Sequence, residues 1–170
     1  MNDLALKRLT AVGWTPDRKV DYSEIEQLYR DQNLTMPDVL HVFFSSFAYI
    51  ETYEITKDRN YWHSIDPGSA FGVSGSSFYG SSFDKYKKKE LQPLFEKNGI
   101  VGEIYPIGSA YDDYMDIYYH ENGKFYLYMN GGGPLTEIGS NVDEMLNYLF
   151  GDDDSTRKDI VYEDRFQRMQ

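Results

Sequence analysis

Catalysis and metal binding need particular groups at particular spacings, and this chain offers few of them. Its three histidines, His41, His63 and His120, are far apart, and none has a second ligand at helical spacing. Gly131 to Gly133 runs into Pro134, without the Gly-Lys-Ser/Thr ending that cradles phosphate. Gly72-Val73-Ser74-Gly75 lacks the Gly-x-Ser-x-Gly spacing of a nucleophile elbow. Asp152, Asp153 and Asp154 are consecutive, with neither the glycine nor the distal glutamate of a calcium loop. A carboxylate pair such as Asp113 and Asp116 could do acid–base work, as in a hydrolase of sugars or peptides. Any acidic protein offers many such pairs, so no catalytic residue is assigned. Cysteine is absent, which removes thiolate metal sites and disulfides, and neither metal nor cofactor is expected.

The 170 residues suit one domain with a sizeable core, and 41% hydrophobic with 26% charged residues is ordinary for a globular protein. The 16 tyrosines are the anomaly; each joins an apolar ring to a polar tip, which suits both interfaces and strands. The first residues lack the layout of a signal peptide, and no apolar run is long enough for a membrane span. A cytoplasmic location is expected. Net charge is -11, with 12 basic and 14 acidic residues through position 100, then 5 basic and 14 acidic. Such a field repels nucleic acid and membrane surfaces and attracts basic partners. Acidity for solubility alone is the plainer reading of the same numbers.

The elements that would position a site follow from periodicity and capping. Asn2 to Val12 reads as a helix closed by Gly13. Asp21 and Glu24 form a capping box for a second, with Ile25, Leu28 and Tyr29 on one stripe. A third starts near Thr35 and points Val39, Leu40, Phe43, Phe44 and Phe47 inward. Tyr49 to Ile55 is a strand, and Tyr61 to Ser82 a Gly/Ser-rich loop with short strands. A helix around Phe83 to Phe95 must be kinked or divided by Pro93. Glu103 to Ile107 is a strand ending at Gly108. Leu135 to Ile138 is a last short strand, and Asn141 and Glu144 cap a helix that ends at Gly151. The domain is placed at 1–151. An acidic and polar tail follows over 152–170, with Ile160, Val161 and Phe166 available to dock it back.

The hairpin between Tyr114 and Met129 allows a sharper reading. A two-residue Asn-Gly turn would put Ile117 and Phe125 on opposite faces. A three-residue loop, with Gly123 left-handed, pairs His120 with Lys124 instead. Met115, Ile117, Tyr119, Phe125, Leu127 and Met129 then share an apolar face. The opposite face carries Tyr114, Asp116, Tyr118, His120, Lys124, Tyr126 and Tyr128. So many tyrosines on one face mark either an interface or a surface covered by the protein's own helices.

The order of motifs resembles the third immunity family of the SUKH superfamily. Ala11-Val12-Gly13-Trp14, with Pro16 and Arg18, matches the family's opening. Ile65-Asp66-Pro67 leading to Ala70 continues the pattern, as do Tyr105-Pro106-Ile107-Gly108, the Asn122-Gly123-Lys124 hairpin, Ile138-Gly139 and the closing helix. The resemblance runs from about Leu4 to Gly151. Ala48-Tyr49 departs from it, standing where such proteins have a Gly-Gly-like step into the first strand. The resemblance implies an α+β fold, with a central twisted, mainly antiparallel sheet packed by helices. It implies structural roles for Trp14 as an anchor, for Arg18 and Asp66 as an Arg–carboxylate tie, and for Pro106 and Gly108 as turn-formers.

It also implies immunity to toxins of polymorphic and contact-dependent systems, often nucleases or deaminases. A non-catalytic inhibitor that binds a basic cognate toxin is therefore expected. Asp112, Asp113, Tyr114, Asp116, Tyr118, Tyr126 and Tyr128 are its candidate contacts, and the region from Tyr61 to Ser82, with Trp62 and Tyr79, is the next candidate surface. A SUKH-type adaptor with an endogenous partner is the alternative of the same class, and a carboxylate-based hydrolase the alternative of another. Oligomeric state is left open.

Overall fold

The computed structural model describes residues 1–55, 60–68, 85–111, 114–129 and 134–160, apart from the side chains of 53–62 and 85–90. Among the described residues five α-helices and seven strands follow in the order α1 (Asp3–Ala11), α2 (Ser23–Asp31), α3 (Asp38–Phe47), β1 (Glu51–Ile55), β2 (Asn60–Ser64), α4 (Lys85–Lys97), β3 (Ile104–Ala110), β4 (Met115–His120), β5 (Phe125–Met129), β6 (Leu135–Gly139), α5 (Val142–Phe150) and β7 (Lys158–Ile160). The strands form one antiparallel sheet in chain order, β1 to β7. This is the expected α+β architecture.

The hairpin register agrees with the pattern argument. Tyr119 pairs with Phe125, Ile117 with Leu127 and Met115 with Met129. The His120 N–H donates to the Lys124 carbonyl at 2.9 Å, and Gly123 has φ 88°. The Asn122 side chain completes the turn, accepting from the Lys124 N–H at 3.0 Å and donating to the Tyr126 hydroxyl at 3.1 Å.

Helices cover both faces of the sheet. The face of Ile117 and Leu127 receives α2 and α5. Tyr29 of α2 stacks on Tyr105 at 6.2 Å, Phe150 of α5 meets His63 edge-on at 5.9 Å, and α5 lies close over Gly139. α3 packs on α2 through Phe44, which contacts both Tyr22 and Tyr29. α4 crosses the opposite face, where Phe95 stacks on His120 at 5.5 Å and meets Tyr126 edge-on at 5.1 Å. It runs through Pro93 as a single helix rather than two.

α1 closes the domain by clasping α5. Its cap Asn2 takes the Ala5 N–H, while its own N–H reaches Asn147 Oδ1 at 2.6 Å and its amide reaches the Gly151 carbonyl at 3.1 Å. Arg8 donates to the Phe150 carbonyl at 3.0 Å and pairs with Asp152 at 2.9 Å.

Two local expectations change. Asp21 does not cap α2 with Glu24: its carboxylate takes the Ser23 N–H at 2.9 Å, and Tyr22 stands at the cap. β3 continues past Gly108 to Ala110, with an irregularity between Pro106 and Gly108. Beyond residue 151 the chain still bonds to the sheet. β7 pairs Lys158 with Glu137 and Ile160 with Leu135, and Thr156 Oγ1 donates to the Ile138 carbonyl. Val161 and Phe166 lie outside the described residues.

Two glycines are needed for different reasons. At Gly123 an added Cβ would meet nothing within 4 Å, so the positive φ alone demands glycine. At Gly108 an added Cβ would sit 2.2 Å from the Ser64 carbonyl oxygen, so proximity to β2 demands it. Gly123→Ala should therefore cost about 1 kcal/mol, and Gly123→Val more. Gly108→Ala should cost roughly 2 kcal/mol or more, because two backbones must separate. Urea denaturation of the variants checks the ranking.

Burial of His120 generates a further prediction. Its Nδ1 accepts from the Asn122 N–H at 3.0 Å, so the neutral ring carries its proton on Nε2. Burial lowers its pKa, outweighing the opposing pull of the Asn122 side chain, Glu121, the Gly102 backbone and Glu103. The unfolded chain then binds this proton more readily than the folded one. Its contribution to stability is complete above the unfolded pKa of about 6.5 and declines as pH falls from there toward the lower folded value. Thermal melts from pH 7.5 to 5 should show wild type losing more of its Tm than His120→Phe, whose ring can stack on Phe95 without titrating.

Candidate partner-binding surface

The tyrosine face of the hairpin is assembled as its register requires, but it lies inside the protein. Tyr118 pairs with Tyr126 and Asp116 with Tyr128, so these side chains share one face. Asp116, Tyr118 and His120 are 0% exposed and Tyr126 is 1% exposed. Side chains without accessible surface cannot anchor a partner in this conformation. Asp116, Tyr118 and Tyr126, three of the expected contacts, are thus placed inside the fold.

The hydroxyls find partners within the fold. Tyr118 donates to Asp116 Oδ2 at 3.1 Å, Tyr126 accepts from Asn122, and Tyr29 donates to the Pro106 carbonyl at 2.5 Å. Burial raises the Tyr118 phenol well above its ordinary pKa, reinforced by the neighbouring Asp116 charge, so it stays a donor. Tyr114 remains 50% exposed and Tyr128 is half-buried, at the open end of the hairpin. Asp112 and Asp113 lie outside the described residues, as does most of the alternative surface, including Tyr79.

Two of the motif residues, Trp14 and Arg18, meet at the C-terminus of α3. Trp14 is buried against Phe47, rings 5.4 Å apart and nearly parallel, and its indole N–H donates to Ser46 Oγ at 3.2 Å. Among the described residues Arg18 bonds carbonyls rather than a carboxylate. Its guanidinium donates to the Ser46 carbonyl at 2.5 Å and the Ala48 carbonyl at 2.9 Å, with its pKa lowered by burial. Carbonyls at a helix end lack intrahelical donors and carry the negative end of the helix dipole, so a cation there both bonds and neutralises. Asp66 instead takes the Gly68 N–H at 2.8 Å, bracing the turn over Pro67. Pro106 and Gly108 flank the irregularity in β3.

Just beyond this capped end, sequence reasoning missed an exposed surface. Tyr49 stands where the glycine step was expected and keeps the backbone form that glycine favours, with φ 61°. Its N–H donates to the Ile65 carbonyl at 2.8 Å, starting the approach to β1, while the residue stays 38% exposed. Partial burial raises its phenol pKa first, followed by the charges of Glu24, Asp66 and Asp21. Val42 and Val39 of α3 are also exposed. The signal lies in the α3 pattern, where Val39 is expected inward but is exposed. Leu40, Phe43, Phe44 and Phe47 already complete the buried stripe.

The histidines occupy separate surroundings. His41 meets Tyr22 and Glu26 near the surface, His63 packs against Tyr111 and Phe150, and His120 lies under α4. Among the described residues no three His, Asp or Glu side chains are grouped as metal ligands would be. No described helix is long and apolar enough to cross a membrane.

No curated protein and no solved structure is similar enough to match this chain. The profile of the SUKH-3 immunity protein family matches residues 1–152, a span from α1 past α5 that includes Trp14, Arg18, Asp66, Pro106 and Gly108, and the chain belongs to that family.

Proposed function

We propose that this chain neutralises a cognate bacterial toxin in the cytoplasm by binding it and covering its working surface, with no chemistry of its own. The observation that carries this reading is the SUKH-3 immunity family match across residues 1–152. The net charge of -11 supports a basic toxin as partner, since opposite fields accelerate encounter. The exposed Tyr114 and half-buried Tyr128 remain as candidate contacts from the hairpin.

Binding and enzymatic neutralisation differ in stoichiometry. Titrating the toxin domain encoded beside this chain should abolish its activity at an equimolar amount. Toxin released by denaturation and refolded alone should regain activity with unchanged mass. Neutralisation at a small fraction of one equivalent, or a changed toxin mass, would identify an enzyme instead. Failure of an excess to inhibit that toxin would refute the reading.

A further inference from the structure

α3 turns one stripe into the core and leaves another in water. Leu40, Phe43, Phe44 and Phe47 are buried, whereas Val42 is 71% and Val39 39% exposed. Among the helix and strand residues whose side chains are described, no large hydrophobic is more exposed than Val42. Asp38, Val42 and Ser45 follow one another at helical spacing, and Tyr49 comes four residues later, just past the helix end. Asp38 is exposed on α3 itself, and exposed Glu24 and Asp21 with partly exposed Asp66 lie near enough to Tyr49 for their charges to act on its phenol. An apolar stripe with carboxylates near its Tyr49 end fits a partner that presents an apolar patch among basic side chains.

The surface is also held rigid. Arg18 grips the Ser46 and Ala48 carbonyls, Trp14 packs on Phe47, and the Val20 N–H donates to the Ser45 carbonyl at 3.0 Å. Little ordering is then required when a partner arrives. We infer that the exposed stripe of α3, with Tyr49 at its end, is the surface that docks the basic toxin. A lysine or arginine of the toxin settles against the Tyr49 ring among Glu24, Asp66 and Asp21, where cation–π attraction and carboxylate pairing act together. The inference rests on the toxin-neutralising reading and specifies its surface.

Tyr49 allows a clean test, because glycine suits its left-handed backbone better than tyrosine does. Tyr49→Gly should keep or raise the Tm while weakening binding to the adjacently encoded toxin domain at least tenfold, mainly through faster dissociation. Val42→Gln should act in the same direction. Asp21→Asn combined with Glu24→Gln should slow association several-fold and flatten its salt dependence. Surface plasmon resonance at two salt concentrations, paired with thermal melts, reads all of these.

Tight wild-type binding that Tyr49→Gly and Val42→Gln leave unchanged would overturn this surface while leaving toxin neutralisation standing. A Tyr49→Gly protein whose melting temperature falls along with its affinity would show the ring serving the fold, which also overturns the inference. So would a wild-type dimer, seen in sedimentation, that Val42→Gln dissociates, because the stripe would then join two copies of this chain. Wild-type protein that does not bind the toxin at all would overturn both readings.

Discussion

Burial of the central strands on both faces is the constraint from which most of this structure follows. A sheet wetted on one side can alternate apolar and polar residues and leave the polar tips to water. β3 and β4 have no such outlet, since every residue of β3 and all but Met115 of β4 are buried. Each polar group on them therefore needs a partner inside. Tyrosine answers that need, because its ring fills volume while its hydroxyl reaches a backbone carbonyl, a carboxylate or an amide. The high tyrosine content thus includes core residues, with Tyr29, Tyr118 and Tyr126 among the largest fully buried side chains.

The same constraint explains which parts of the architecture were legible in the sequence. Hairpin register could be read because a one-residue slip exchanges the two faces, and a left-handed Gly123 agrees with one choice. The cap of α5 was equally readable, with Asn141 taking the Glu144 N–H and Glu144 reaching back to Ser140. The identity of whatever covers the second face was not. Leu91 and Phe95 carry helical spacing, but spacing does not say which sheet face a distant helix will cross. Arg18 was misread for a related reason. A guanidinium bonds carbonyls and carboxylates alike, and carbonyls leave no mark in a sequence.

Tyr49 shows a third limit. A tyrosine gives no notice of a positive φ, which is uncommon for any residue with a side chain. The surrounding contacts over-determine it: Arg18 fixes the carbonyls just before, and Ile65 accepts from its N–H and donates to Ile50. Strain held in this way at an exposed aromatic residue is the pattern expected where a surface serves a partner rather than the fold. The domain thus separates its tasks, with tyrosines of the hairpin stabilising the interior and the end of α3 facing outward.

The clasp between α1 and α5 has a consequence for how the chain is made. The sheet runs in chain order, so each strand can pair with its predecessor as synthesis proceeds, and such local closure is entropically cheap. The N-terminal helix cannot reach its place in the same way. Its cap bonds Asn147 and Gly151, residues separated from Asn2 by nearly the whole domain. At about 5–20 residues per second, α1 spends several seconds outside the ribosome before its docking partner emerges. A helix made before the whole sheet is thus among the last to be locked in place, and a nascent chain that stalls before α5 leaves the underside of α1 open to proteases and chaperones.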